Sequence, residues 1–343
     1  MKPAVDPIRV RAPGRVNLIG DHTDYTGGLA LPLAIDREVV VEGIDQEHPL
    51  VTLTSDQDPE PARFSLPVTS LDPIGPAWAK RVAAIASELG RERGFAGSVV
   101  STVPIGAGLS SSGALGVGIA LGLGAGDSHT RVEIALLCQR AQEAATGVPT
   151  GVLDEMASLH GVAGHATLLD CHDLATDAVP LPEEAQIVVR YVSHRTVAGS
   201  PYSERVAACR DAEARIGPLR SASLEDVATI DDPMIRRRAR HVVSENQRVR
   251  DCVTALRGGD LDEAGALMTA SHISLRDDYE VSTPDLDRAV EALNDIPGVH
   301  GARLTGAGFG GCVIALARPG AVAGGWVVEA VDGAGMAGEP IEL

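Results

Sequence analysis

A mixed helix-and-strand protein of two domains is the fold class that the sequence predicts, on three observations. The 343 residues are enough for two domains that share an interface. Along the first half, β-prone segments alternate with stretches of helical spacing. Past Pro182 the character shifts to longer, more charged helices, which puts the expected boundary near Pro180 to Pro182 and the domains at residues 1–181 and 182–343. A cleft between two such domains is a natural place for a ligand.

The elements follow in order. The segment from Ile8 to Asn17 alternates and is β-prone, as is "EVVVEG" from Glu38 to Gly43. "PAWAKRVAAIASELG", Pro76 to Gly90, opens on a proline, carries apolar residues at helical spacing and closes on a glycine, so it predicts a helix. "SVVSTVPIG" is a strand entering a glycine and serine turn, and "GALGVGIALGLGAG" behind it reads as a buried helix. Arg131 to Ala145 has helical periodicity, and a second apolar helix begins near Gly151 and runs through "VLDEMASLHG". "ATLLDC" and "QIVVRYVS" read as strands. Ser200 to Arg215 and Asp232 to Arg257 predict charged helices, and "DLDEAGALMTASHISLRDDY" continues the pattern. "HGARLTGAGFGGCVIALARP" predicts a strand, a glycine turn, then a strand or a helix.

Composition narrows the function. A chain that is 44% hydrophobic and 22% charged is an ordinary globular one. No apolar run is long enough to span a bilayer, and "MKPAVDPIRV" lacks the apolar core of a secretory signal, so a cytoplasmic home is expected. The net charge of −18 argues against nucleic acid as a partner, because phosphate backbones attract basic surfaces. It still permits a nucleotide site. Cys138, Cys171, Cys209, Cys252 and Cys312 are dispersed and odd in number, so they read as free thiols.

Two stretches concentrate polar chemistry. "RVNLIGDHTDYTGG", Arg15 to Gly28, sets an apolar run against Asp21, His22, Asp24 and Tyr25. Such groups are costly to bury without partners, so they belong in an exposed loop or against a ligand. A metal site made of Asp21, His22 and Asp24 lacks further recognisable ligands. "VPIGAGLSSSGAL", Val103 to Leu115, lies between a predicted strand and a predicted helix. Here Gly106, Ala107, Gly108, Leu109, Ser110, Ser111 and Ser112 form a phosphate cradle in physical terms: tight turns, outward N–H groups, a helix N-terminus and hydroxyl donors. It is not a Walker A loop, whose lysine is missing. The alternative is a glycine turn whose serines cap the helix.

The pattern P-x-G-x-G-L-S-S-S, Pro104 to Ser112, resembles the phosphate motif of the GHMP small-molecule kinases. "APGRVNLIGDHTDYTGG" and "LTGAGFGGC", Leu304 to Cys312, resemble the same superfamily. With "GVPTGVLDEMASL", "SENQRV" and "ASHISLRDDYE" added, the chain resembles galactokinases, in family order from Ala12 to about Leu316. The resemblance implies an α+β, two-domain GHMP kinase architecture with the active site in the interdomain cleft. It implies ATP-dependent phosphorylation of the anomeric hydroxyl of D-galactose, ATP as co-substrate, Mg2+ as cofactor and a monomeric state.

Residue by residue, the resemblance makes Asp154 the carboxylate beside the anomeric hydroxyl and Arg15 the cation between it and the phosphate. Asp21, His22, Asp24, Gly151 and Tyr202 are then the sugar-binding residues, with Asp24 on the O3/O4 edge. Trp78 resembles an aromatic position near the nucleotide, against the alternative of a core residue. Ser112 matches a magnesium ligand; the second ligand, a glutamate twelve residues before the aspartate, is here Gln142. That departure implies either a weaker magnesium site or a shifted ligand, and neighbouring Glu143 would need the helix to turn by about 100° to serve. Asp21 stands where glutamate is usual, at the C6 end of the sugar; Ala307 and Gly113 are smaller departures. The resemblance leaves two alternatives: a kinase for a related sugar (N-acetylgalactosamine, L-arabinose or a uronic acid), or a non-catalytic sensor of galactose and ATP.

Overall fold

The apolar N-terminal segment forms β1 (Ile8–Ile19), which turns through a short helical stretch into the long strand β2 (Leu29–Gln46). In this computed structural model, which describes residues 7–194 and 201–337, there follow β3 (Leu50–Ser55), β4 (Ala62–Ser65), α1 (Ala77–Glu88), β5 (Gly94–Ser101), α2 (Ser111–Gly122), α3 (Arg131–Thr146), α4 (Leu153–His160), β6 (His165–Asp170) and β7 (Thr176–Pro180). The second part comprises β8 (Gln186–Ser193), α5 (Tyr202–Ile216), α6 (Leu224–Ala228), α7 (Pro233–Gly258), α8 (Leu261–Asp277), α9 (Pro284–Asn294), β9 (Val299–Thr305), β10 (Gly311–Ala317) and β11 (Trp326–Val328). A last short strand, β12 (Gly335–Met336), pairs with β1.

Two sheets result. The first runs β12-β1-β2-β5-β3-β4, with β6 on the early part of β2 and β7 beside β6; the second runs β11-β8-β10-β9. Among the described residues, only β3 and β5 pair in parallel. The expected boundary at Pro180 to Pro182 runs from the last residue of β7, in one sheet, into the link that leads to β8 of the other.

Local signals explain most helices. Thr130 and Glu133 form a reciprocal capping box at the start of α3, satisfying otherwise orphaned N–H groups. Asp232 caps α7 and Thr283 caps α9, each with proline at the first helical position. The strand expected at Ile8 to Asn17 forms, but every residue from Ala12 onward is buried, because this stretch meets α2 and α4 as well as α7, α8 and β9. β2 begins at Leu29, well before Glu38. The open choice after the last glycine turn is settled as a strand: all of β10 is buried in mid-sheet. Ser200, the expected start of a helix, lies outside the described residues.

Buried side chains gather in two cores, one around β1, β2 and α1 to α4, the other around β8 to β10 and α9. Helix α7 feeds both, with Ile235, Ala239 and Val242 in the second and Val249, Cys252 and Leu256 in the first.

Candidate active site

A cavity of about 460 Å³ opens where the two sheets meet. Asp21, His22, Asp24 and Tyr202 line it, as do Gly106, Gly108, Ser110, Ser111, Ser112 and Gln142, together with Arg15, Gly151 and Asp154. Of the residues singled out above, Ala107 and Leu109 do not line it; both are fully buried in the core. Trp78 is also outside, packed on the first core with its indole N–H donating to the Glu60 carbonyl at 3.1 Å.

Arg15 and Asp154 stand at the centre. Strand β1 presents Arg15 to the glycine loop, where its N–H donates to the Leu109 carbonyl at 3.1 Å and its Nη1 to the Gly108 carbonyl at 2.7 Å. Its Nη2 pairs with Asp154 Oδ1. The arginine side chain is sealed, at 6% exposure, while that of Asp154 keeps 34%, so the carboxylate faces the open side. Asp154 sits in the first turn of α4, where the helix dipole favours an anion.

The glycine loop runs into α2. Ser110 occupies the N-cap position in the left-handed region, φ 61°, and does not cap the helix; its hydroxyl is buried without a partner. The capping alternative therefore does not describe Ser110, and the N–H groups of the first turn remain available for an anion. Gly113 brings this helix start against α4, since a Cβ there would stand 2.8 Å from the Asp154 Cβ. The His194 ring lies so close to Gly106 that no side chain fits there, and His194 lines the cavity too. Nothing in the sequence marked His194.

At the other end, Asp21 is held from several sides. Arg303 Nη2 lies 2.8 Å from Oδ2, the Gly306 N–H donates to Oδ1 at 3.1 Å, and Asn17 Nδ2 donates to the same oxygen. Burial raises the Asp21 carboxyl above its ordinary range, and Arg303 opposes that shift. His22 adopts φ 67°, and its Nε2 donates to the Ala307 carbonyl at 3.2 Å. Nδ1 meets the Tyr25 hydroxyl at 3.0 Å, and a hydrogen-bonded chain continues from Tyr25 to the Tyr279 hydroxyl and on to Cys209 Sγ at 3.1 Å. The Tyr202 ring packs 5.9 Å from both His22 and Tyr25, centroid to centroid. Asp24 is pushed up to about 7, first by burial and then by the charge of Asp154. Gly151 packs directly on the Asp24 carboxyl group. Sequence reasoning missed Asn17, Tyr279 and Arg303, although all three fall inside motifs quoted for other reasons.

Comparison with known proteins gives this geometry a family. Residues 3–43 match the galactokinase galactose-binding signature, 78–162 the GHMP kinases N terminal domain and 252–324 the GHMP kinases C terminal domain. The galactokinase of Homo sapiens is 42% identical over 326 residues, spanning 90% of this chain and 83% of that protein. The chain belongs to the galactokinase family. Another member, the galactokinase of Roseiflexus, is 40% identical over 330 residues, again with 90% and 83% covered. The crystal structure of Lactococcus lactis galactokinase complexed with galactose superposes with a TM-score of 0.90 at 31% identity, covering 97% of this chain and 95% of that one. The mevalonate kinase of Methanococcus jannaschii, at 21% identity, TM-score 0.66 and 94% and 93% coverage, shares the fold.

Within this galactokinase fold, the departures noted in the sequence acquire a location. Gln142 lines the cavity with its Oε1 buried and unpartnered. Glu143 faces elsewhere: its Oε1 accepts from the Thr150 N–H at 3.0 Å, and it lines a separate cavity of about 380 Å³. Ala307 needs no positive φ; the turn takes that conformation at Gly306 and Gly308 on either side.

Proposed function

We propose that this protein transfers the γ-phosphoryl group of ATP to the anomeric hydroxyl of D-galactose, giving galactose 1-phosphate and ADP. The observation that carries the reading is the Arg15–Asp154 pair, set between a glycine and serine loop and the Asp21, His22 and Asp24 cluster in one cavity. Asp154 orients the hydroxyl and takes its proton as the new O–P bond forms and the bond to the ADP oxygen breaks. In a loose phosphoryl-transfer transition state, orientation contributes more than proton abstraction. Arg15, ionised and tied to both Gly108 and Asp154, offsets the charge that gathers between base and phosphate. Asp24 accepts from the O3 and O4 hydroxyls, which selects the galacto epimer.

The phosphate end suits magnesium. Ser112 opens to the cavity and the buried Oε1 of Gln142 has no protein partner, and hard cations take such neutral oxygens. Bound with the nucleotide, the ion supplies positive charge to the phosphate oxygens.

A coupled ADP-release assay with galactose, ATP and magnesium tests the reading; galactose binding without turnover overturns it. One observation favours a wider sugar range. Asn17 and Gly306 both take Asp21 Oδ1, and Oδ2 lies against Arg303 as an ion pair, so this carboxylate, one methylene shorter than the glutamate usual there, is held back from a C6 hydroxyl. We therefore expect 6-deoxygalactose and L-arabinose to be turned over, and a strong preference for galactose over both counts against this second reading.

A further inference from the structure

The phosphate end of the cavity has a neutral amide where the family resemblance expects a carboxylate. Gln142 is on α3, and the same cavity is lined by a second residue that is a carboxylate, Glu155 on α4. Glu155 is 2% exposed. Its helix packs on α2 and α3, which carry Ser112 and Gln142. Cys138, one turn before Gln142 on α3, has its thiol raised first by burial and next by the Glu155 charge, which sets that charge against the same helix.

A buried carboxylate normally demands several strong partners. Among the described residues, the side-chain partner of Glu155 is Arg81, whose Nη2 lies 3.4 Å from Oε1, at the long end of a hydrogen bond. Arg81 comes from α1 and does not line the cavity, so it reaches Glu155 from the side away from the ligand. The carboxyl keeps further acceptor capacity at the cavity wall, where burial and then the charge of Asp154 push it up to about 7, a shift that a nearby cation would reverse.

We infer that Glu155 faces the metal of the bound metal–nucleotide and supplies the charge that Gln142 lacks, with Arg81 holding it from behind. This rests on the ATP-dependent reading above and identifies which side chain serves its metal. Gln142 contributes a neutral oxygen at most; the anionic role has moved from α3 to α4.

The test is calorimetric titration of a non-hydrolysable ATP analogue, without sugar, over a series of magnesium concentrations. Glu155→Gln is expected to weaken the magnesium-dependent part of the affinity by about tenfold or more, leaving the metal-free affinity unchanged. The double variant Gln142→Glu with Glu155→Gln, which returns the carboxylate to α3, is expected to recover it to within about threefold. If Glu155 serves only as the structural partner of Arg81, Glu155→Gln lowers the melting temperature and leaves the magnesium dependence as it was, which overturns the inference. Should Glu155→Gln fail to fold, Glu155→Asp keeps the charge while shortening the reach, and an unaltered magnesium dependence there overturns it equally. A parent protein that binds no magnesium–nucleotide at all defeats the ATP reading itself; a parent that binds it, with variants unchanged, defeats only the placement of Glu155.

Discussion

Substituting Gly151 by alanine should damage sugar recognition and leave nucleotide recognition alone. The added methyl would overlap the Asp24 carboxyl group outright and stand 3.0 Å from the Asp24 Cβ, inside the roughly 3.5–4.0 Å of an ordinary carbon contact. Asp24 must therefore swing off the position from which it meets the sugar. A hydrogen bond to an ionised group contributes about 1.5–3 kcal/mol, so losing one lowers kcat/KM for galactose by roughly 10- to 150-fold. Steady-state kinetics with each substrate varied in turn measure this directly, with KM for ATP expected to stay within about twofold. Gly258→Ala, at the end of α7 where nothing lies within 4 Å of the new methyl, is the matched control and should leave both parameters unchanged. If Gly151→Ala kept kcat/KM for galactose within about threefold of the parent, the placement of Asp24 against the sugar would be refuted.

Three other outcomes follow from the same geometry. Asp154→Asn should cut kcat by about 10²- to 10⁴-fold while galactose still binds by calorimetry; unchanged turnover would remove Asp154 from the chemistry. Because Asp24 titrates near 7 in the folded, sugar-free protein, galactose affinity should rise between about pH 6 and pH 8 as the carboxylate ionises, and a flat profile would contradict this. The sign for stability is opposite: a carboxyl raised above its unfolded value stabilises the fold at low pH, and that contribution is lost as pH climbs through about 7. Arg303→Met leaves Asp21 buried without its cation and should cost about 3–5 kcal/mol in chemical denaturation, where a loss below about 1 kcal/mol would show that the pair is dispensable.

What the sequence disclosed, and what it withheld, divides along physical lines. Helices α1 and α3 were readable because their stop and start signals are local: Pro76 and Gly90 flank one, and helical spacing from Arg131 marks the other. The early part of β2 escaped because "LALPLAI" is buried throughout, so it shows no alternation, and Pro32 interrupts its strand character. Strand β4 is only four residues long and lies at the sheet edge, and β3, six residues long, is the strand next to it, so each offers too few positions for a clear pattern. At the site, the motifs carried Arg15, Asp24 and Asp154 because each sits in a compact stretch with recognisable neighbours. The partners that fix these residues are tertiary: Tyr25 meets Tyr279 across 254 positions, and Arg303 reaches Asp21 from the other sheet. No periodicity encodes such meetings. The Gln142 departure was visible in the sequence, but that Glu143 turns away to hold Thr150 while Glu155 lines the cavity needed the packing of three helices.

Helix α7 has a consequence beyond architecture. At 26 residues it is a rod of about 39 Å, with Val242 seated in one hydrophobic core and Val249 in the other. Neither half of the molecule can melt without unseating part of the same rod, so heat should produce one transition in which probes at the sugar end and at the far sheet vanish together. For the same reason a fragment ending at residue 181 would lack the α7 side chains and the β12 strand that complete its own core, and would not stand as an autonomous folding unit. The cleft is built between two lobes that share a single thermodynamic fate.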